Sequence, residues 1–308
     1  KNGGGTPGPP HALRTPQLGG LGILEPGQLK ETIMLASRFS RTAHSVYSHN
    51  PLTDEEIRKV APSIFADMPH GSRSERYAYI PTSIVLAKLR TEGFEPFMAT
   101  QTRVRDEGRR DFTKHMVRLR HRSLTADREA GEVILLNSHD GSSSYQMLAG
   151  MFRFVCSNGL IVGDVVEDIR IPHKGDVVDG VIQGAFDVLD GLDLVREVRD
   201  DMCALTLDAE EQQAFAKAAL QLRYEPSDAK PAPISESQLL MPRRAADTRA
   251  DLWTTFNVVQ ENIVRGDLAA RTATNRRTRT RPVQGIDQGV KINRALWVLA
   301  DEMKKLKS

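Results

Sequence analysis

FMATQTRVR, from Phe97 to Arg105, opens the stretch that decides the fold, and the stretch runs on to Val166. Three further segments follow in it: KHMVRLRHRS (114–123), GEVILLNSHDGSS (131–143) and MFRFVCSNGLIVGDVV (151–166). Each is short and rich in β-branched and aromatic residues, and polar or charged residues separate it from the next, as in successive strands. The stretch therefore predicts an antiparallel meander of three to five strands.

Arginines alternate with apolar residues in the first two segments. Because successive side chains of a strand point to opposite faces, Val117 and Leu119 fall on one face of the second segment and its arginines on the other. If the two segments pair as a hairpin around residues 106–112, their arginines form one basic surface over an apolar underside. The basic residues of this predicted hairpin are Arg103, Arg105, Arg109, Arg110, Lys114, Arg118, Arg120 and Arg122.

A basic sheet face of this kind suits a nucleic-acid backbone, because cations that neutralise phosphates release counterions and thereby gain affinity. The alternative is a solvated outer face, since mixed charge is ordinary on such a surface. Asp106, Glu107 and Asp111 neutralise part of the positive charge around the predicted turn. Both interpretations stay open on the sequence.

The densest basic block lies near the C-terminal end, where Arg271 and the arginines after it meet no acid before Asp287. Threonines between the arginines add hydroxyl donors for phosphate oxygens. The alternative is a solvated loop between two helices. The block adds a second set of predicted nucleic-acid contacts: Arg276, Arg277, Arg279 and Arg281.

The bulk composition bounds the class of protein. The 308 residues are 40% hydrophobic and 27% charged, which is enough for a buried core in one large domain or two ordinary ones. The formal net charge is only +2, so any nucleic-acid binding must come from local clustering. Cys156 and Cys203 form no C-x-x-C pair and therefore no zinc or disulfide framework. Without a membrane-length apolar run or a signal peptide, we expect a cytoplasmic protein.

The predicted architecture is α+β, with a helix before the meander and a helical C-terminal half. Residues 1–27 are rich in glycine and proline and predict a flexible tail. Residues 28–225 form the predicted core domain with the basic meander. Residues 226–245, around SDAKPAPISES, predict a linker, and residues 246–308 a helical segment with the basic loop.

Local signals place the helix ends. Thr53 with Glu56, and Asp208 with Glu211, have the spacing of capping boxes. Gly93 is a natural stop for a helix that begins near residue 82. Apolar residues at helical spacing predict further helices over 174–202, 247–264 and 293–303.

The sequence contains no P-loop, no G-x-G-x-x-G after a strand, no G-x-S-x-G and no H-E-x-x-H. No cofactor or metal is expected, and no catalytic residue is assigned. His139 and Asp140 are adjacent, so in a strand they face opposite ways, and Asp-Gly is a common turn pair. The less favoured alternative is an enzyme that uses these two residues with Asn158 near Cys156, although Cys156 is interpreted as a core residue.

Three segments carry a family resemblance: APSIFADMPHGSRSERYAYIPT (61–82), FTKHMVRLRHR (112–122) and NSHDGSSSYQMLAGMFRFVCSNGLIVG (137–163). They resemble the phage- and plasmid-borne family of the domain of unknown function 932. The resemblance covers about residues 50–221 and the NRALW segment near the end. It implies a mobile genetic element as the setting and brings no catalytic residues.

The order of elements carries a second likeness, of layout only. The predicted order is a helix, a meander with a basic face and then a long helical region. This order resembles that of the core of single-strand annealing proteins of the Rad52 and Redβ type. That likeness implies a homo-oligomeric ring or filament that holds DNA along a basic groove without ATP. No residue is carried over from it.

These observations favour sequence-independent binding of single-stranded DNA and strand annealing in the recombination of a phage or plasmid. The predicted protein is a homo-oligomer that needs no ATP, with Tyr77, Tyr79 and Tyr145 as candidates for base stacking. For these tyrosines the alternative is to wedge a helix against the sheet. The alternative function is a protein-interaction module that inhibits a host defence system, with its basic patches against an acidic partner or in a defence complex's nucleic-acid site.

Overall fold

The computed structural model describes residues 44–71, 79–104, 106–124, 129–154, 158–163, 168–173, 176–227 and 231–307. They belong to one compact unit, which spans residues 40–308. Within these ranges an antiparallel sheet precedes a helical half, so the α+β prediction is confirmed. The predicted tail (1–27), Tyr77, Arg105 and Cys156 lie outside the described residues, as does the side chain of Asn158.

The sheet has seven strands in the described ranges, in the order β1-β2-β3-β4-β5-β6, with β7 paired to β5 beside β6. All neighbours are antiparallel, and β2 to β6 form the predicted meander. The strands are β1 (His44–Tyr47), β2 (Phe94–Gln101), β3 (His115–His121), β4 (Glu129–Asn137), β5 (Tyr145–Arg153), β6 (Asn158–Ile161) and β7 (Ile169–Ile171).

Helices surround the sheet and make up the C-terminal half. Within the part of the chain that the structure describes, no helix combines the length and apolar character that a bilayer crossing requires. The helices are α1 (Asp54–Val60), α2 (Thr82–Thr91), α3 (Val177–Ala204), α4 (Ala209–Tyr224), α5 (Glu236–Leu239), α6 (Leu252–Arg265) and α7 (Ile286–Lys307).

The helix ends follow the local sequence signals. Both predicted capping boxes are present: Glu56 N donates to Thr53 Oγ1 at 3.3 Å, and Glu211 N donates to Asp208 Oδ1 at 2.9 Å. Helix α2 ends just before Gly93, whose φ of +96° suits glycine. The residues beside each of these helix ends are therefore sufficient to define where the helix begins or stops.

The main core lies between one face of the sheet and the helices. Val117 and Leu119 of β3 point into it and are fully buried, as the alternation predicted. Within the predicted linker (226–245), the described residues 231–245 contribute to this core, because Ile234 and Leu239 are buried in it. This finding corrects the prediction of a linker there. Trp297 of α7 belongs to the same core, so the C-terminal segment is not a separate body.

A chain of ion pairs joins the adjacent ends of β4 and β5 to α6. Arg153 on β5 binds Glu129 at 3.1 Å and Asp247 at 3.0 Å. Arg244 binds Asp247 at 2.5 Å and Glu261 of α6 at 2.6 Å. Since Asp247 and Glu261 are almost fully buried, each carboxylate needs its arginine partner.

The second face of the sheet carries an ion cluster of Arg118, Arg120 and Glu132. Glu132 Oε2 accepts from Arg118 Nε at 2.5 Å, and its Oε1 accepts from Arg120 Nε at 2.9 Å. Arg118 also reaches across β4 and β5 to donate to the carbonyl oxygen of Leu160 at 2.8 Å. Only 3% of Arg118 and 1% of Glu132 is exposed.

Aromatic rings and two glycines shape the space around this cluster. The Arg120 guanidinium lies 4.3 Å from the ring centroid of Phe97 and 4.7 Å from that of Phe152, which is cation–π geometry. A Cβ atom at Gly159 would lie 2.5 Å from an Arg118 guanidinium nitrogen, and one at Gly150 would lie 2.9 Å away. A side chain at Gly159 would therefore displace the Arg118 guanidinium group, and one at Gly150 would also meet Ile134 Cδ1, 2.6 Å from the added Cβ.

This burial corrects the predicted basic groove. Arg118 and Arg120 do lie on the face opposite Val117 and Leu119, but they are inside the protein and paired with Glu132. Arg103 lies beyond the end of β2, so it is not part of a strand stripe. A continuous exposed row of arginines along the β2–β3 hairpin is therefore not formed.

Replacing Glu132 by glutamine tests the ion cluster. Glu132→Gln leaves two buried guanidinium groups without a carboxylate, and we expect a loss of about 3–5 kcal/mol in the free energy of unfolding. Urea denaturation followed by circular dichroism measures it. The matched control is Glu55→Gln, which breaks an exposed pair with Lys59 and is expected to cost less than about 1 kcal/mol. Equal losses in the two variants would contradict the structural role of Glu132.

Candidate nucleic-acid interface

A two-stranded ribbon stands apart from the main sheet between α6 and α7. Its strands are β8 (Ala269–Arg271) and β9 (Arg277–Arg279), which pair antiparallel. The ribbon falls in the basic block that the sequence singled out. Two strands of three residues each carry too little pattern to be recognised from the sequence, which is why a plain loop was the alternative there.

The register of the ribbon divides its side chains between two faces. Ala270 pairs with Thr278, and Arg271 pairs with Arg277. Because directly opposite residues share a face, Arg271, Arg277 and Arg279 lie together on one side. Ala270 on the other side is buried in the main core, whereas residues 271–279 are all exposed. The arginine face is therefore the solvent face.

The hairpin connection is well defined. Asn275 has a φ of +60°, and its N–H donates to Thr272 O at 2.8 Å. Thr272 N donates in turn to Arg276 O at 3.0 Å. The Arg271 guanidinium donates to Asn275 Oδ1 at 2.9 Å and so braces the turn. A turn with a left-handed Asn is a common three-residue hairpin loop, so the ribbon has a set shape.

Positive charge exceeds negative charge on the ribbon. Arg279 pairs with Asp267, and both side chains remain largely exposed. The guanidinium groups of Arg276, Arg277 and Arg281 have no hydrogen-bond or ion-pair partner among the residues that the structure describes, and all three residues are exposed. The ribbon therefore presents cations ready for an external anion.

A second group of exposed arginines lies at the β2–β3 connection, in and beside a 3₁₀ turn over Glu107–Phe112. Arg109 lies 3.7 Å from Asp140, and Lys114 binds Asp287 at the start of α7 at 2.6 Å. These ion pairs reduce the local excess of charge. The exposed members, called the turn arginines below, are Arg103, Arg109 and Arg110.

Arg122 is exposed just beyond the end of β3. Its side chain lies over Gly93, where a Cβ atom would come within 2.5 Å of the Arg122 Nε atom. The predicted basic residues thus occupy separate places: the ribbon, the turn, the end of β3 and the buried ion cluster. Among the predicted basic residues that the structure describes, those of the ribbon share one exposed face.

Of the three tyrosines proposed for base stacking, Tyr79 and Tyr145 make contacts within the protein, and Tyr77 lies outside the described residues. The Tyr145 hydroxyl donates to Ile80 O at 3.0 Å, and the side chain is fully buried. The Tyr79 hydroxyl donates to Ala66 O, and its ring packs edge-on against His139 at 5.0 Å between centroids. The burial of Tyr145 corrects the stacking prediction for that residue, whereas Tyr79 is half-buried.

A buried polar cluster forms around Thr82, the first residue of α2. Thr82 Oγ1 lies 2.9 Å from His115 Nε2, 3.3 Å from His139 Nε2, 3.3 Å from the Tyr145 hydroxyl and 3.0 Å from Asn137 Nδ2. The threonine hydroxyl has one proton, so it donates to only one of the two imidazoles. The other imidazole must then present an N–H to it.

The two histidines are held in the neutral form. Burial, followed by the neighbouring His139, lowers the pKa of His115 well below its usual value. Burial, followed by His173, lowers the pKa of His139 to about 4, although Asp140 acts in the opposite direction. In the described ranges no group of three or more histidine, cysteine, aspartate or glutamate side chains is placed to hold a metal ion. The hydrogen bonds of the cluster join α2 to β3, β4 and β5 and to the residues that follow β4.

Asp140 has the turn role that the sequence favoured. Its Oδ1 accepts from Ser142 N at 2.9 Å, and Gly141 has a φ of +76°. The His139 ring points into the interior while Asp140 faces the turn, so the two do not form a relay. Cys156 and the Asn158 side chain, the other members of the catalytic alternative, lie outside the described residues.

The chain matches a known protein family over most of its length. A family model described as "Domain of unknown function (DUF932)" matches residues 69–297, which include the meander, the histidine cluster and the ribbon. The chain belongs to the DUF932 family. The match extends beyond the resemblance seen in the sequence, since it takes in the ribbon and most of the helical half.

Two curated relatives share nearly their whole length with this chain. The UPF0380 proteins YafZ and YfjQ of Escherichia coli strain K12 are each 53% identical to it over 269 residues. Each alignment covers 87% of this chain and 97% of the relative. No solved structure matches the chain.

The pKa shifts predict a loss of stability in weak acid. An unfolded histidine titrates near 6.5, whereas folded His139 titrates at about 4, so the unfolded state binds more protons between these values. Stability is therefore highest above pH 6.5 and falls as the pH drops towards 4, by about 3 kcal/mol for His139 alone. Urea midpoints measured from pH 8 to pH 4 test this.

A substitution of His139 tests whether this residue causes the loss of stability in weak acid. His139→Gln is expected to be less stable at pH 8 but to show a shallower acid slope than the parent protein. His49→Gln, at an exposed position, serves as the control and should keep the parent slope. An unchanged slope in His139→Gln would contradict the assignment to His139.

Proposed function

We propose that the protein binds nucleic acid, and single-stranded DNA in particular, through phosphate contacts from the β8–β9 ribbon. The observation that carries the proposal is the single exposed face on which Arg271, Arg277 and Arg279 lie together. Guanidinium groups are well suited to phosphate, since they present several N–H donors in a planar fork. Contacts to phosphates position a protein without reading sequence, so the binding is independent of sequence.

In this proposal the main contact is therefore the ribbon and not the arginines of the β2–β3 hairpin. The buried pair Arg118 and Arg120 has no part in it. The turn arginines are a second contact, because they are exposed and lie at one end of the sheet. Annealing of complementary strands by a homo-oligomer, in the recombination of a mobile element, is the wider activity proposed from the layout of the fold.

Removing ribbon charges tests the proposal directly. The variant Arg276→Gln/Arg277→Gln/Arg281→Gln loses three exposed cations, and each phosphate contact contributes about 0.7 to the salt slope of single-strand binding. We expect the slope to fall by about 2 and the affinity at 0.1 M salt to fall about 100-fold. Fluorescence anisotropy of a labelled thymidine oligomer across a salt series measures both, and annealing of complementary strands is scored alongside.

The control removes the same charge elsewhere. Lys59→Gln/Lys88→Gln/Lys217→Gln lowers the net charge equally from exposed positions on α1, α2 and α4. It should keep most of the affinity and of the slope. Equal effects in the two triple variants would contradict a specific role of the ribbon, because they would mean that only the net charge of the protein matters. No binding by the parent protein at low salt would reject the proposal and favour the protein-interaction alternative.

A further inference from the structure

The two outer edges of the ribbon differ, and this difference bears on the ligand. In β8, Arg271 N donates to Pro233 O at 3.1 Å, and Gln238 Nε2 donates to Ala269 O at 2.7 Å. The outer edge of β8 is therefore covered by the segment that precedes and begins α5. An incoming polymer has no access to backbone groups there.

The register shows that the outer edge of β9 is open. Thr280 N donates to Leu268 O at 2.9 Å, and Thr272 N donates to Arg276 O at 3.0 Å. Since hydrogen-bonded pairs alternate along an antiparallel ladder, the pairs that contain Arg277 and Arg279 are the non-bonded ones. Their N–H and C=O groups point away from β8. No partner for these groups is present among the described residues.

The arginines of this open strand have a regular spacing. Arg277 and Arg279 of β9, and Arg281 two residues beyond its end, stand at every second position, and Thr280 between the last two is buried. Alternate residues of a strand lie about 7 Å apart on one face. That repeat is close to the separation of successive phosphates along one extended nucleic-acid strand. Arg279 is oriented by Asp267, so the middle of the row is preorganised.

We infer that the ribbon takes a single extended strand of nucleic acid along β9, with successive phosphates facing Arg277, Arg279 and Arg281. The open N–H groups of Arg277 and Arg279 give a second donor beside each of those guanidinium groups. This inference rests on the proposed function and adds the number of strands and the register of contact. Arg276 belongs to the turn and does not share the two-residue spacing of Arg277, Arg279 and Arg281. It contributes positive charge but faces no particular phosphate.

The spacing of charge in the ligand tests the register. Two thymidine 12-mers carry the same number of methylphosphonate linkages, which are uncharged, either alternating with phosphates or gathered at one end. The second oligomer keeps an unbroken run of phosphates. At 0.1 M salt the parent protein is expected to bind it about 5-fold more tightly than the alternating one, because only the unbroken run fills all three contacts and each contact contributes about 0.7 to the salt slope.

Two single variants separate register from charge. Arg279→Gln removes the middle contact, which the alternating oligomer leaves empty when it fills the other two, so the preference between the two 12-mers should shrink to less than about 2-fold. Arg276→Gln removes the same charge from the neighbouring turn, and it should weaken both oligomers alike and leave the preference intact. A loss of preference in both variants, or in neither, would overturn the assignment of the row.

The remaining outcomes distinguish this inference from the proposed function. Equal binding of the two 12-mers by the parent protein would overturn the register while the binding itself stands. Tighter binding of a duplex made with the unbroken oligomer would overturn the single strand as the preferred ligand. Absence of binding to the fully charged 12-mer at low salt would reject the proposed function together with the inference.

Discussion

The carboxylate of Glu132 between Arg118 and Arg120 is the interaction on which the second face of the sheet depends. A buried charge must be paired, because the interior solvates it poorly. Glu132 pairs with both guanidinium groups, and the remaining donors of Arg118 cross the sheet to the carbonyl of Leu160 on β6. The cluster therefore ties β3, β4 and β6 together across β5, and the rings of Phe97 and Phe152 close over Arg120.

Much of the fold was predictable because it depends on local chemistry. The alternation around Val117 and Leu119, the capping box at Thr53 and the stop at Gly93 each need only a few neighbouring residues. The burial of Arg118 could not be predicted from neighbouring residues in this way. Whether an arginine opposite the core is solvated depends on what covers it, and here the partners come from β4, β5 and β6. A signal was present in Glu132, an acid directly before the apolar run of β4 from Val133 to Leu136.

The candidate interface was found in part. The basic block after residue 271 was identified from its arginines, but its shape depends on pairing between strands of three residues each. Such pairing leaves no periodic pattern, so the difference between the covered edge of β8 and the open edge of β9 emerges only in three dimensions. The same is true of Thr82, which begins α2 and also joins two histidines that lie far from it in the sequence.

The space beside Arg118 constrains how this family changes over evolutionary time. Gly150 and Gly159 lie where any side chain would strike the guanidinium group, and Glu132 has no reason to be charged without its arginines. Gly159 is tied to Arg118 most directly, because the atoms that a Cβ there would meet all belong to this arginine. Relatives that lose Arg118 should therefore be free to carry a larger residue at position 159, whereas Ile134 still restricts position 150. Positions 118 and 159 form a covarying pair, and its presence or absence in an alignment would trace the architecture of the second face through the family.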